Sequence, residues 1–145
     1  MKIIMDEKFI TKNPKETEKF AKRFAKNLKE GDIVLLRGDL GAGKTVFAKG
    51  FVKGRGVKHA DVVSPTFTIM NNYSDKVIHY DLYRLNSLAE FDAFGGVESL
   101  YGKGVKIVEW PEKIGLDNFP SEAYVVCIEK VDANTRKISV SKGIN

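Results

Sequence analysis

Hydrophobic positions along the chain follow two spacings, one helical and one extended. A helix is predicted to begin at Asn13 and Pro14, because Asn caps a helix, Pro suits its first position and a Glu stands three residues after the cap. It is predicted to end at Gly31, with lysines on the face opposite its apolar residues. Two further helices are expected over residues 45–53 and 87–94, the second resuming after the glycine pair that follows it.

The remaining apolar segments have the length and composition of strands. Residues 33–36 are an uninterrupted apolar run, which is typical of a strand buried on both faces. Residues 66–73 and 76–83 are expected to form one hairpin, and residues 124–131 and 136–141 another, because turn residues separate the two segments of each pair. Residues 105–110 are expected to form a further buried strand. This order of elements predicts an α/β fold with a mixed sheet, formed by one domain spanning residues 1–145.

Composition narrows the class of protein. The chain has 145 residues, of which 43% are hydrophobic and 30% charged, as in soluble globular proteins. It has neither an apolar run of the roughly 20 residues that a membrane helix needs nor a signal-peptide segment. The one cysteine, Cys127, lies in an apolar run and is expected to be an inert buried thiol. A reducing, cytoplasmic location is therefore expected.

Charge is unevenly distributed along the chain, whose net charge is +5. Residues 1–60 hold 15 Lys and Arg against 7 Asp and Glu, whereas residues 61–145 hold 9 against 12. A basic half is typical of nucleic-acid binding. A solvated lysine-rich helix face is the simpler interpretation, because lysine dominates and aromatic residues are not interleaved with the basic ones.

The strongest motif is G-D-L-G-A-G-K-T, which matches the phosphate-binding P-loop pattern in full between a predicted strand and a predicted helix. Its glycines allow backbone N–H groups to face phosphate oxygens. Lys44 is expected to reach the β- and γ-phosphates and Thr45 to ligate Mg²⁺. The expected nucleotide contacts in the loop are Gly38, Asp39, Leu40, Gly41, Ala42, Gly43, Lys44 and Thr45.

A P-loop also needs a carboxylate from a neighbouring strand to hold Mg²⁺. Asp81 and Glu109 each end a predicted strand, and either could instead be structural, for example by pairing with Arg84. His79 is more simply a packed or hydrogen-bonded group than a catalytic base. The Asn-Lys-x-Asp segment of guanine-specific proteins is absent, which favours ATP.

Two further segments are candidates for nucleotide contacts. Ser64 and Thr66, in S-P-T-F, offer hydroxyl groups that could sense the γ-phosphate or simply form a turn into a strand. Trp110 could belong to the core or lie at the nucleotide pocket.

The motifs G-D-L-G-A-G-K-T, S-P-T-F, H-Y-D-L-Y-R-L and V-E-W-P-E-K, in this order over residues 10–140, resemble the TsaE (YjeE) family. The family consists of bacterial ATPases needed for the threonylcarbamoyladenosine modification of tRNA. The resemblance implies a P-loop NTPase-like three-layer fold with a mixed central sheet. It also implies weak Mg²⁺-dependent ATP hydrolysis that the partner proteins TsaB and TsaD stimulate, with tRNA met only through that complex.

The resemblance also implies roles for individual residues. Mg²⁺ is held by Thr45 and Glu109, and Asp81 supports hydrolysis through the metal or the water, which makes Lys44, Asp81 and Glu109 the expected catalytic residues. Ser64 and Thr66 are implied as a switch segment and Trp110 as a nucleotide neighbour. Thr11 and Arg136 are the candidates for the residues that frame adenine. Val46, after the loop, is also expected to contact the nucleotide, although a second Thr is common there in the family.

Two other functions are compatible with a P-loop of this size. A small-molecule kinase is the alternative enzyme, but such kinases carry an arginine-rich lid, and the five arginines here are scattered. A module that binds tRNA directly through its basic half is the alternative outside catalysis.

Overall fold

The computed structural model describes residues 5–58 and 69–144. Within these residues the chain forms one seven-stranded sheet and four α-helices. The strands are β1 (Met5–Thr11), β2 (Ile33–Arg37), β3 (Met70–Tyr73), β4 (Val77–Asp81), β5 (Val105–Glu109), β6 (Tyr124–Lys130) and β7 (Arg136–Lys142). The helices are α1 (Pro14–Lys26), α2 (Lys44–Gly54), α3 (Leu88–Ala93) and α4 (Gly96–Leu100). Short 3-10 turns at Pro111–Lys113 and Leu116–Asn118 follow β5.

The sheet is mixed, as the sequence predicts. Its strand order is β1-β7-β6-β2-β5-β4-β3. The central strands β6, β2, β5 and β4 run parallel, whereas β3, β7 and β1 pair antiparallel at the two sides. The carboxyl ends of β2, β4, β5 and β6 therefore lie along the same edge, where α/β proteins place their ligand sites.

Helices cover both faces of the sheet and give the predicted three layers. Val34 and Leu36 of β2 pack with α1 and α2, while the alternate residues Ile33 and Leu35 pack on the side of α3 and α4. This alternation follows from the two-residue period of a strand. Since both faces are covered, the central strands are rich in apolar residues, which is why they are recognisable in the sequence.

Close contact between α1 and α2 depends on glycine. A Cβ atom added to Gly50 would lie 2.4 Å from the carbonyl oxygen of Glu18, and one added to Gly54 would lie 2.3 Å from that of Lys22. Next to this contact, aromatic rings of both helices pack together; Phe24 and Phe47 have ring centroids 6.3 Å apart. The helix that follows the phosphate-binding motif is thereby fixed against the rest of the molecule.

The predicted start of α1 is confirmed, but its predicted end is wrong. The Asn13 side chain accepts a hydrogen bond from the backbone N–H of Glu16 at 2.9 Å, as a helix cap does. The helix ends at Lys26, with Asn27 as its C-cap. Gly31, with a φ of +88°, lies in the turn that leads into β2. The first glycine after the apolar pattern therefore belongs to the next turn.

The strands differ from prediction mainly at their ends. Residues 66–68 of the first predicted hairpin lie outside the described residues, and β4 ends at Asp81 and not at residue 83. The predicted tight turn is confirmed, since Ser74 and Asp75 have φ values of 55° and 57°. Strand β5 ends at Glu109 and not at residue 110, because Trp110 is left-handed, with a φ of 59°. Strand β1 was not predicted.

The basic residues of α1 lie at the surface. Lys19, Lys22, Arg23 and Lys26 are exposed, opposite the buried face that contains Ala21. This is the solvated helix face that the sequence favours as the simpler interpretation. Among the described residues, no helix has both the length and the apolar character needed to cross a membrane.

We expect the Gly50→Ala substitution to lower the free energy of unfolding. Alanine favours a helix interior by about 1 kcal/mol over glycine. The added Cβ would meet the Glu18 carbonyl oxygen at 2.4 Å, and the resulting overpacking costs about 1–3 kcal/mol. Urea unfolding compared with Lys49→Ala, an exposed position of the same helix, measures the difference. A Gly50→Ala variant as stable as the Lys49→Ala variant would contradict this view of the α1–α2 contact.

Candidate functional site

The loop between β2 and α2 has the backbone conformation that its glycines make accessible. Gly41 and Gly43 have φ values of +80° and +104°, a region that residues with side chains rarely adopt. A Cβ atom on Gly38 would lie 2.8 Å from the carbonyl oxygen of Ile128. The N-cap residue of α2 is Gly43, which has no side chain that could cap the helix. The loop therefore presents backbone N–H groups and the positive end of a helix, which together suit a phosphate group.

Lys44, the first residue of α2, lies inside this loop. Its side chain donates hydrogen bonds to the carbonyl oxygens of Gly38 and, at 3.4 Å, of Asp39. Its Nζ lies 3.6 Å from the centre of the Trp110 ring. Burial lowers the pKa of Lys44, and the negative charge of Glu109 is the largest effect opposing that shift. The lysine is thus a buried cation, held by its own loop, with an aromatic face on one side.

Parallel pairing brings two carboxylates to the edge of the sheet where the loop begins. Glu109 at the end of β5 stands opposite Leu36 of β2 on one side and Asp81 of β4 on the other. Asp81 and Glu109 also face the side of α2, since they alternate with Tyr80 and Val108 of the opposite face. Both predicted carboxylates therefore lie near the loop.

The two carboxylates have different environments. Glu109 is buried, with its Oε2 atom 2.6 Å from Nε2 of His79. Asp81 is half-buried and accepts a hydrogen bond from the backbone N–H of Tyr83 at 3.1 Å. Burial raises the pKa of Asp81 and the charge of Glu109 adds to that effect, while the Tyr83 hydrogen bond opposes it. Asp81 is therefore the more solvent-exposed of the two carboxylates.

His79 lies in the site although the sequence does not assign it there. The sequence predicts a packed or hydrogen-bonded group, and the structure gives it Glu109 as a partner. Its place two residues before Asp81 on the same strand puts it on the same face of the sheet. That period is the only signal in the sequence, since Glu109 lies on a different strand.

Trp110 contacts the loop lysine and not only the core. Its ring packs against Tyr83 with centroids 5.0 Å apart and covers the ammonium group of Lys44. The left-handed backbone of Trp110 is strained for a bulky residue, and such strain often marks a functional site.

Arg136 and Thr11 lie side by side, in directly paired positions of β7 and β1. The Arg136 guanidinium donates to the carbonyl oxygen of Ala42 at 2.7 Å and to that of Gly41 at 3.4 Å. The hydroxyl group of Thr11 is buried and lies 2.7 Å from that of Thr17. Arg136 thus holds the loop backbone in the structure, and the adenine contacts of both residues stay predictions.

The other predicted residues differ in exposure. Asp39, Leu40 and Thr45 are exposed, and Val46 is half-buried. Ser64 and Thr66 lie outside the described residues, so their predicted switch role stays a prediction.

A cleft of about 660 Å³ opens beside the loop, lined in part by Trp110 and Cys127. Arg37 and Glu112 line it and form an ion pair of 2.9 Å at the surface. Burial raises the pKa of the Cys127 thiol, and the positive charge of Arg37 opposes that shift less strongly. Cys127 is half-buried and not the fully buried thiol that the sequence predicts, and its raised pKa lowers the share of reactive thiolate.

The donor set of the site suits Mg²⁺ bound together with phosphate. Among the described residues, no group of three or more His, Cys, Asp and Glu side chains could hold a metal ion unaided. Mg²⁺ typically takes one or two protein oxygens and completes its shell with phosphate and water. An exposed Thr45 hydroxyl and the carboxylates Asp81 and Glu109 are oxygen donors of that kind.

Comparison with known proteins gives one consistent result. The family model described as "Threonylcarbamoyl adenosine biosynthesis protein TsaE" matches residues 11–138. A Bacillus subtilis protein named tRNA threonylcarbamoyladenosine biosynthesis protein TsaE is 42% identical over 91% of this chain and 83% of its own length. A Treponema pallidum protein of the same name is 33% identical over 91% of this chain and 98% of its own length.

A solved structure is similar over the whole chain. The crystal structure of Bacillus subtilis YdiB superimposes with a TM-score of 0.78 and 34% sequence identity. The match covers 100% of this chain and 90% of that one. The similarity therefore extends to the arrangement of the mixed sheet.

We expect the Asp81→Asn substitution to stabilise the protein at neutral pH and not in acid. Because the pKa of Asp81 is raised in the folded state, its favourable contribution is present below its ordinary pKa of about 4 and is lost as the pH rises through the folded value. Asparagine carries no charge and keeps the acceptor for the Tyr83 N–H. Urea unfolding measured from acid to neutral pH should show that the free energies of unfolding of the two proteins diverge as the pH rises.

The exposed carboxylate of Asp92 supplies the control for the loss of one negative charge. If Asp81→Asn stabilised the protein no more at pH 7 than in acid, the burial assigned to Asp81 would be wrong. The same would hold if Asp92→Asn changed stability equally.

Proposed function

The chain belongs to the TsaE family and acts in the biosynthesis of threonylcarbamoyladenosine in tRNA, and from this premise we propose that its part is to bind and hydrolyse Mg·ATP. The observation that carries the proposal is the position of Glu109 beside the loop of Lys44, at the carboxyl edge of the parallel strands and near enough for its charge to raise the pKa of Lys44. A buried ammonium group, free helix N–H groups and a strand-end carboxylate are what phosphoryl transfer to water requires.

Each group at the edge has a role in this proposal. The amino end of α2 and the loop N–H groups bind the phosphates. The Lys44 ammonium leaves the loop carbonyls to contact the β- and γ-phosphate oxygens, and Trp110 excludes water from it. Arg136 keeps the loop open by holding the Ala42 carbonyl away from the phosphates.

Thr45 and Glu109 would hold Mg²⁺, directly or through water, with Asp81 beside them. When bound, the metal neutralises the charge that develops on the phosphate oxygens. Asp81 is the better candidate to position the attacking water, because it is less buried than Glu109. Glu109 is the better candidate for the metal side.

We propose TsaB and TsaD as the partners, and that the transfer of the threonylcarbamoyl group belongs to them. Hydrolysis at this site then drives partner release or resetting. The acceptor of that group is tRNA, and we assign tRNA contact to the complex and not to the solvated lysine face of α1. The single cysteine suits a reducing compartment, and we assign the activity to the cytoplasm.

We expect the Lys44→Ala substitution to lower ATP hydrolysis by about 100-fold or more, as loss of one transition-state donor does. The measurement is release of phosphate from ATP with Mg²⁺, alone and with TsaB and TsaD. Lys49→Ala removes an exposed lysine from the same helix and should leave hydrolysis unchanged. Full hydrolysis by the Lys44→Ala protein would refute the role of the loop.

We expect association with TsaB and TsaD to depend on the nucleotide. Affinity capture of the partners with a non-hydrolysable ATP analogue and then with ADP should give different yields, since hydrolysis is proposed to change the complex. Equal capture of the partners with both nucleotides, together with normal ATP hydrolysis, would show that hydrolysis does not control partner release. A saturable small-molecule phosphate acceptor would instead favour a kinase.

A further inference from the structure

The contact between His79 and Glu109 joins two buried polar side chains at the edge of the sheet. His79 is 4% exposed and Glu109 5%, and their Nε2 and Oε2 atoms are 2.6 Å apart. His79 lies two residues before Asp81 on the same face of β4 and is paired with Ile107 of β5. Its side chain therefore reaches Glu109 diagonally across the two neighbouring parallel strands. A charge-assisted hydrogen bond of this length is strong and directional.

Glu109 needs such a partner because of its length and its neighbours. A glutamate side chain has several rotamers and loses conformational entropy when it is fixed in one orientation. The Lys44 ammonium is close enough to Glu109 for the carboxylate to raise its pKa more than any other charge does. If Glu109 turned to pair with Lys44, it would neutralise the ammonium group that binds the phosphates. The carboxylate would then no longer be available to ligate the metal.

We propose that His79 is a positioning residue for the Mg·nucleotide site. Its Nε2–H donates to one oxygen of Glu109 and holds the carboxylate away from Lys44, so that the second oxygen is available to the metal or its water shell. Hydrogen-bond partners of metal ligands act in this way in other proteins, and their loss costs about 10–100-fold in metal affinity or activity. The inference rests on the proposed function of the site.

Three variants of His79 separate positioning from packing. His79→Leu fills similar space without a donor. His79→Gln can place an amide N–H near the position of Nε2, whereas His79→Asn is one methylene shorter and cannot. Tyr80→Phe is the matched control. Tyr80 lies on the same strand as His79 but on the opposite face, and the substitution removes its partly buried hydrogen bond of 2.7 Å to Ser99 of α4.

The readout is metal affinity in the ADP complex, measured with Mn²⁺ by electron paramagnetic resonance, beside ADP affinity in EDTA by calorimetry. We expect His79→Leu to weaken Mn²⁺ binding by about 10–100-fold while ADP affinity in EDTA changes by less than about twofold. His79→Gln should recover most of the Mn²⁺ affinity and His79→Asn should not. Tyr80→Phe should lower the unfolding temperature with unchanged Mn²⁺ affinity.

Wild-type Mn²⁺ affinity in His79→Leu would overturn the proposal, and so would equal losses in the Gln and Asn variants. If His79→Leu does not fold, the Gln and Asn pair decides alone. Failure of the wild-type protein to bind Mn²⁺ with ADP would refute the proposed function and this inference with it. Normal Mn²⁺·ADP binding by the wild type, with no effect of His79, would refute the inference alone.

Discussion

Parallel pairing of β4, β5 and β2 is the constraint on which the candidate site depends. The register places Asp81, Glu109 and Leu36 side by side, and the phosphate-binding loop starts two residues after Leu36. A shift of one residue in β5 would turn Glu109 to the opposite face of the sheet and away from α2. The apolar cores on both faces of the sheet hold that register, since each central strand packs against other residues on both of its faces.

Buried charge at this edge has to be compensated, and the compensation comes from different parts of the chain. The Lys44 ammonium is held by carbonyl groups of its own loop and by the Trp110 ring. Glu109 is bonded to His79 of the neighbouring strand, and the loop backbone is bonded to Arg136 of β7. Each of these contacts makes other side-chain arrangements less favourable, because an arrangement that leaves a buried charge without a partner costs several kcal/mol. The site is therefore largely organised by the protein itself.

Much of this could be predicted from sequence where the signal is local. The capped start of α1, the turn at Ser74 and Asp75 and the loop glycines each follow from the residues in place. Strand β1 could not be predicted, because it is a charged edge strand formed by its pairing with β7. His79 lies 30 positions from Glu109 in the sequence, and Arg136 lies 94 positions from Ala42, whose carbonyl oxygen it contacts. Such contacts require the sheet order, which local patterns do not contain.

A crystal structure with Mg²⁺ and a non-hydrolysable ATP analogue tests the central claim most directly. The claim predicts that Lys44 leaves the Gly38 and Asp39 carbonyl groups for the β- and γ-phosphates. It also predicts that Glu109 stays bonded to His79 with its second oxygen on the metal side. A nucleotide bound elsewhere, with Lys44 still on its own loop, would contradict the claim, as would a Glu109 carboxylate paired with Lys44.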